Sequence, residues 1–262
     1  MVAMPNPDSA FAPAWLLALE TATDCGSVAL LHAGRPMGCR GLEPGAYSMQ
    51  LIPAMDALLA EAGIQRQELH AIAVAHGPGS FTGVRVGLTL AKGLGEVTGI
   101  PVLGVSTLSA LASAGPAGPA RRPALALLDA SRSEVYCGYY PAGPVAFEIR
   151  RRTAADTAPA GVEFLTGLKL LQDRLRDSGC SDAVSAQVWP AEFAPALPAY
   201  LPGDRILPPP EELATHVGRL ALTVWRQATG ALHAGDDLLA LDANYIRRPD
   251  AEIIALPGLL VS

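Results

Sequence analysis

The most distinctive segment of the chain is rich in glycine and runs from His76 to Gly87, with the sequence His-Gly-Pro-Gly-Ser-Phe-Thr-Gly-Val-Arg-Val-Gly. Glycine adopts backbone angles that are closed to other residues, and without a Cβ it lets another chain or an anion approach the backbone. Where such a turn opens a helix, the helix N-terminus can bind phosphate. A plain strand-to-helix turn needs the same glycines, so both interpretations stay open. The segment is not a P-loop, because no Gly-Lys-Ser/Thr follows.

Two acids stand where they could take part in chemistry. Glu20 ends a short apolar run and begins the polar segment Glu20–Ser27. A polar turn at such a place can hold phosphate, and a simple hairpin loop is the alternative. Asp129 ends a second apolar run, where it is either a catalytic acid or the cap of the following turn.

The histidines and cysteines are not spaced for metal binding. The five histidines, at positions 32, 70, 76, 216 and 233, form neither H-x-x-x-H nor H-E-x-x-H. The four cysteines, at positions 25, 39, 137 and 180, contain no C-x-x-C pair and suit neither a zinc site nor a disulfide framework. We therefore expect reduced thiols and no bound metal.

Charge and hydropathy narrow the functional classes further. The formal net charge is -6 and the arginines form only short runs, so a free-standing RNA-binding protein is not indicated. Residues 1–13 carry neither a positive n-region nor a long apolar run, and no stretch approaches the roughly 20 apolar residues of a membrane span. These features predict a cytoplasmic protein, without membrane contact, whose residues 1–14 form a loose tail.

Apolar runs and helical spacing predict the elements that would position the glycine segment and the acids. A helix from Ser48 to Ala62 ends at Gly63, and a helix from about Val84 to Val97, capped by Thr82 or Gly83, follows the glycine turn. A short helix begins after Ser106 and another spans about Glu211–Gln227. The predicted strands are Trp15–Glu20, Ser27–His32, Pro36–Arg40, Ala71–His76, Ile100–Val105, Ala124–Asp129 and Glu134–Tyr140.

Strands that alternate with helices predict an α/β fold with a partly parallel sheet. Residues 114–123 are the best candidate linker between a first lobe, 15–113, and a second lobe, 124–262. Each lobe opens with a strand, an acid, a polar turn and a second strand, which suggests a duplicated architecture. Residues 141–205 give no clear pattern.

The helix after the glycine turn has a row of small residues, Gly83, Gly87, Ala91 and Gly95, which recur every four positions. Such a row lets a partner helix pack at less than the usual distance of about 8–10 Å between helix axes. The opposite side is bulky and is predicted to pack on the sheet; it consists of Val86, Leu90, Leu94 and Val97. The small row would contact either the helix Ser48–Ala62 or a helix of another subunit.

The helix Ser48–Ala62 is apolar over more than half of its circumference, which exceeds what packing on one sheet requires. We predict that the two helices join an equivalent pair from another subunit in a four-helix contact. The predicted interface residues are Met49, Ile52, Met55, Leu59, Gly87, Ala91 and Gly95.

The glycine segment resembles the hallmark of the TsaB (YeaZ-like) family. The residues that carry the motif are Glu20, Gly77, Pro78, Gly79, Ser80, Phe81, Thr82, Gly83, Arg85 and Gly87. The resemblance continues through Ser48–Pro53, Ala91–Leu94, Val105–Leu108, Asp129-Ala130, Glu134–Tyr136 and Tyr245–Arg247. The chain departs from the pattern at Tyr47, Ser131 and Ala243, where relatives often have His, Arg and Pro.

The resemblance implies an actin-like (ASKHA) α/β fold with two related lobes, each a mixed sheet flanked by helices. It also implies a non-catalytic scaffold that pairs with the catalytic paralogue TsaD and cooperates with the ATPase TsaE. That assembly forms N6-threonylcarbamoyladenosine on tRNA, so the chain would meet tRNA only through the complex. A homodimer through the same two helices is possible when the partner is absent, and the sequence does not decide between monomer and homodimer.

Two features of the sequence agree with a non-catalytic role. The metal-binding H-x-x-x-H pair of the paralogue falls on Thr107 and Leu111, and Leu111 cannot bind a metal. The chain contains no Gly-Gly dipeptide, the turn that usually seats adenosine in this fold. We therefore expect no catalytic residue, metal or cofactor. An ATP-dependent phosphotransferase that uses Glu20 and Asp129 is the alternative.

Overall fold

Two mixed five-stranded sheets organise the part of the chain that the structure describes. The structure is a computed structural model, and it describes residues 15–114, 124–130, 134–140, 162–167, 185–189, 206–207, 210–227 and 241–244. The tail 1–14 and nearly all of the predicted linker lie outside these residues, as do Ser131 and Tyr245–Arg247. No helix in the described part is long and apolar enough to cross a membrane.

The first sheet contains β1 to β5 and has the order β3-β2-β1-β4-β5. Its strands are β1 (Trp15–Glu20), β2 (Ser27–His32), β3 (Arg35–Gly41), β4 (Ala71–Ala75) and β5 (Val102–Val105). The β1–β2 and β2–β3 pairs are antiparallel, whereas β4 runs parallel to both β1 and β5. Every residue of β4 is buried, which is typical of a strand covered on both faces.

Helices cover both faces of this sheet. They are α1 (Tyr47–Ala62), α2 (Phe81–Thr98) and α4 (Leu213–Gln227), and a 3₁₀ turn lies at Arg66–Glu68. The short helix α3 (Thr107–Ser113) packs on α4 and on β6 (Ala124–Asp129) and β7 (Glu134–Tyr140) of the second sheet. Helices α1 and α2 begin at the carboxyl edge of the parallel strands and pack on one face, while α4 packs on the other. On the α4 side, Gly218 lies directly against Leu31 and Ala18.

The second sheet repeats the topology of the first. Its strands are β6 (Ala124–Asp129), β7 (Glu134–Tyr140), β8 (Val162–Gly167), β9 (Ser185–Trp189) and β10 (Ile206–Leu207). They are arranged in the order β10-β9-β6-β7-β8, with β7 antiparallel to β6 and β8, and β9 parallel to β6 and β10. In each sheet the first strand is central, the next two follow on one side as antiparallel neighbours, and the last two follow on the other. The predicted duplication is therefore a feature of the fold.

Three details differ from the sequence predictions. Helix α2 begins at Phe81, because the side chain of Ser80, and not of Thr82, caps it by accepting a hydrogen bond from the N–H of Gly83 at 3.2 Å. Strands β8 and β9 lie in the segment 141–205 that gave no clear pattern, and β10 follows it directly. Helix α4, which we placed in the second lobe, packs on the first sheet, where the N–H of Ala214 donates to Ser27 Oγ at 3.0 Å.

Candidate functional site

The acid and the glycine turn singled out in the sequence meet at the carboxyl edge of β1, β4 and β5. Glu20 ends β1, the glycine turn follows β4, and Ser106 follows β5. In open α/β sheets, ligands bind in the crevice outside the carboxyl ends of the strands. The contacts at this edge therefore decide between a ligand site and a structural junction.

The Glu20 carboxylate is fully buried beneath the turn that follows it. Its Oε1 accepts hydrogen bonds from the N–H groups of Ala22 at 2.6 Å and Thr23 at 2.9 Å, and its Oε2 accepts one from the Thr23 hydroxyl at 2.8 Å. Burial raises the pKa of Glu20 to about 7, because desolvation of the carboxylate outweighs these hydrogen bonds, and the nearby Asp24 adds to the rise.

This arrangement favours a hairpin loop over a phosphate-binding turn. The two backbone N–H groups that would face a phosphate already donate to a carboxylate of the same chain. Tyr47 closes the turn from the other side, since its hydroxyl donates to the carbonyl of Thr23 at 2.6 Å and accepts from the N–H of Gly26 at 3.3 Å. Tyr47 is a departure from the family pattern, and its role could not be read from the sequence.

The glycine turn packs closely on that same hairpin, because its glycines have no Cβ. The N–H of Ser80 donates to the carbonyl of Ala22 at 2.7 Å, and a Cβ on Gly79 would lie 2.2 Å from that carbonyl oxygen. A Cβ on Gly83 would lie 1.9 Å from the carbonyl oxygen of Thr21, whose hydroxyl donates to the carbonyl of Gly83 at 2.7 Å. These contacts support the plain interpretation of the glycines, a tight turn packed against the chain itself.

The remaining motif residues lie at the start of α2. Phe81, Thr82 and Arg85 are exposed, and the guanidinium carbon of Arg85 lies 3.6 Å from the centre of the Phe81 ring. A cation–π contact of this kind stabilises an exposed pair by about 0.5–1 kcal/mol. It holds both side chains against the first turn of the helix.

The predicted interface residues divide into a buried and an exposed group. Met55, Leu59, Gly87, Ala91 and Gly95 are buried within the chain, whereas Met49 and Ile52 are 73% and 45% exposed. We predicted that the bulky side of α2 packs on the sheet, and this is wrong.

Helix α2 instead turns its small residues to the sheet. Gly87 lies against Thr21 and Val74, and Ala91 is fully buried. The bulky row lies on the outer side of the helix, where Val97 is 85% exposed. Val86, Leu90 and Leu94 are half-buried and pack against the edge of the core. A residue as large as Arg at position 91 would therefore disrupt the chain itself.

Comparisons with known proteins agree with the predicted resemblance. The model of the TsaD family, tRNA N6-adenosine threonylcarbamoyltransferase, matches residues 44–168. The tRNA threonylcarbamoyladenosine biosynthesis protein TsaB of Haemophilus influenzae is 39% identical over 121 residues, which are 46% of this chain and 51% of that protein. TsaB of Escherichia coli is 36% identical over 125 residues, 48% of this chain and 54% of that protein.

Other relatives match over a longer span. An uncharacterised protein of Mycobacterium tuberculosis is 32% identical over 196 residues, which cover 71% of this chain and 90% of that protein. A crystal structure from Pseudomonas aeruginosa, described as similar to the peptidase YeaZ, is 27% identical with a TM-score of 0.65 and covers 89% of this chain and 100% of that one. The chain belongs to the TsaB (YeaZ-like) family. It has the α/β actin-like fold that the resemblance implied, although it spans only about half the length of the curated TsaB relatives.

The TsaB-like chain lacks ligands at the place where the paralogue was expected to hold a metal. Leu111 is an apolar residue with no exposed surface, and Thr107 is likewise buried. Within the described residues, no cluster of three or more His, Cys, Asp or Glu side chains could hold a metal ion. Burial lowers the pKa of His76 to about 4, so its imidazole is neutral near pH 7.

The buried acid of this TsaB-like chain makes stability depend on pH. The pKa of Glu20 is about 7 in the folded chain and near 4.5 when unfolded, so folding favours the protonated form. Its contribution is therefore fully present below pH 4.5 and is lost as the pH rises through 7. Glu20→Gln keeps the Oε1 acceptor but has no group that ionises. The difference in unfolding free energy between the variant and the native chain should therefore shift by about 3 kcal/mol in favour of the variant as the pH rises from 4.5 to 8.

Urea unfolding of both proteins across this pH range measures the difference. His76 and His216, each with a pKa lowered to about 4 by burial, change stability in the opposite direction but equally in both proteins. The difference curve therefore isolates the carboxyl group. Parallel curves for the two proteins would show that Glu20 ionises normally.

Proposed function

We propose that the chain is a non-catalytic scaffold subunit of the complex that forms N6-threonylcarbamoyladenosine on tRNA. Membership of the TsaB family supports the pathway, since curated relatives carry that role in their names. The non-catalytic part rests on one observation, the Glu20 carboxylate that takes the backbone N–H donors of its own turn. A net charge of -6 supports contact with tRNA only through the complex.

In this proposal the chain pairs with a TsaD-like catalytic paralogue and works with a TsaE-like ATPase. The TsaD family model matches almost half of this chain, so a partner of that family shares its fold. Two chains with the same fold can pair through equivalent surfaces related by a pseudo-twofold axis. The same geometry would allow a homodimer when the partner is absent.

The surface that we propose for pairing is the outward side of α1 and α2, here called the helix patch. It consists of Met49, Ile52, Val86, Leu90, Leu94 and Val97. The two helices run in the same direction, because both start at the carboxyl edge of the first sheet and lie on the same face. A second helix pair laid across them would bury these apolar side chains in a four-helix contact.

The alternative of an ATP-dependent phosphotransferase is less well supported. Glu20, one of its two proposed acids, has no exposed surface and is held by three hydrogen bonds within its own turn. Such a carboxylate cannot reach a metal–nucleotide complex without rearrangement of the turn. Titration of the isolated chain with ATP and Mg²⁺ separates the two functions, because only a phosphotransferase binds and turns over the nucleotide.

Reconstitution of the tRNA modification tests the scaffold function. We expect no modified tRNA from the chain alone, even with threonylcarbamoyl-adenylate supplied, because the described residues provide no metal cluster and no free phosphate-binding turn. Addition of the TsaD-like and TsaE-like proteins from the same organism should produce modification, measured by mass spectrometry of tRNA nucleosides. Modification by the chain alone, or equal activity when the chain is omitted from the mixture, contradicts the proposal.

A further inference from the structure

A short segment of the chain, residues 241–244, lies across the carboxyl ends of β4 and β5. The N–H of Asn244 donates to the carbonyl of His76 at 2.7 Å, and a Cβ on Gly77 would lie 2.9 Å from the carbonyl oxygen of Asn244. At the other end of the segment, Leu241 packs so closely on Gly104 of β5 that a Cβ there would lie 2.5 Å from its side chain. The segment therefore occupies the crevice in which ligands of open α/β sheets are bound.

One carboxylate of the second sheet holds this segment in place. Glu163, on β8, accepts a hydrogen bond from the Asn244 side-chain amide at 3.2 Å through its Oε2. Its Oε1 accepts a hydrogen bond from the Tyr140 hydroxyl at 2.6 Å and another from the Ser106 hydroxyl. Ser106 is the N-cap of α3, and Tyr140 ends β7, so the carboxylate joins three separate elements.

We propose that residues 241–244 form a strap that closes the crevice of the first sheet, and that Glu163 is the residue that fastens it. The glycine turn contributes to the closure, because Gly77 has a φ of +107° and no Cβ, which lets the backbone of Asn244 lie directly on it. Glu163 Oε2 is the acceptor that ties the Asn244 side chain to the second sheet. The loss of this acceptor therefore releases the strap before it unfolds either sheet.

The strap connects the second sheet to the start of α2 through direct contacts. Glu163 binds Asn244, Asn244 binds His76, and the turn that begins at His76 leads into α2. A change in the position of β8 would therefore reach the glycine turn without passing through the apolar core. This inference does not depend on the proposed function, because it concerns the closure of the crevice in the isolated chain.

Hydrogen–deuterium exchange of the full chain tests the strap. We expect Glu163→Ala to accelerate exchange about tenfold or more in peptides that cover 241–244 and 76–79, while β1 and β4 exchange as in the native chain. Glu163→Gln is the matched control. The side-chain amide introduced at position 163 can donate to the Asn244 side-chain oxygen once the Asn244 amide group has flipped by about 180°. The same peptides should therefore exchange at nearly the native rate.

A second pair of variants keeps the proposal testable if Glu163→Ala does not fold. Asn244→Asp places a carboxylate beside Glu163, and the repulsion between like charges should release the strap and accelerate the same peptides. Combining Asn244→Asp with Glu163→Gln restores a donor opposite an acceptor and should return the exchange rates toward native values. Unchanged exchange in Asn244→Asp, or equal acceleration of every peptide in the chain, overturns the proposal.

Discussion

Gly83→Ala is expected to lower the melting temperature by about 10 °C or to prevent folding altogether. The added Cβ would lie 1.9 Å from the carbonyl oxygen of Thr21, a backbone atom that cannot rotate away. Relief of this clash requires α2 to move off β1, which breaks the hydrogen bond from the Thr21 hydroxyl to the carbonyl of Gly83. Overpacking of a rigid site costs about 3 kcal/mol or more.

The same helix offers a matched control ten positions further on. Gly93 is exposed, and a Cβ added there meets no atom within 4 Å. Because alanine is favoured over glycine in a helix interior by about 1 kcal/mol, Gly93→Ala should raise the melting temperature by about 2–4 °C. Thermal unfolding followed by circular dichroism measures both variants. Similar melting temperatures for the two would show that Gly83 does not make the close contact with the backbone of Thr21.

The orientation of α2 shows why sequence patterns gave the elements but not their packing. The helix was predicted from its spacing, and its bulky residues were assigned to the sheet because apolar side chains are usually buried. Close approach of Gly83 and Gly87 to Thr21 places the row of small residues, together with Val84 and Leu88, on the buried side of the helix. The bulky row was consequently left outside, an outcome that follows from a contact between residues 62 positions apart.

The candidate site was located from the sequence, but its chemistry was not. Glu20 and the glycine turn were both singled out, and the structure brings them together at one edge of the sheet. Glu20 binds the N–H groups of its own turn because of the backbone conformation of the three residues that follow it. Composition and spacing do not determine that conformation. The role of Glu163 was missed altogether, because it lies in a segment whose strands gave no periodic signal.

Ile52→Glu and Val97→Glu are each expected to weaken pairing with the TsaD-like paralogue about thirtyfold or more, with little change in the stability of the isolated chain. Both side chains are substantially exposed in the single chain, at 45% and 85%, so a charge there remains in water until a partner covers it. In the proposed four-helix contact the new carboxylate would be buried against apolar side chains without a counter-charge, which is strongly unfavourable.

Thr89→Glu is the matched control for these two variants. It adds the same charge to an exposed position of α2 outside the helix patch, so it should pair like the native chain. Calorimetric titration with the purified paralogue gives the dissociation constants, and thermal unfolding of each isolated variant verifies its fold. Ala91→Arg should behave differently from all three, because Ala91 has no exposed surface and the substitution should unfold the chain itself. Native affinity in both Ile52→Glu and Val97→Glu would place the interface on another surface. Equal losses in the Thr89→Glu control would instead reveal a general effect of added negative charge.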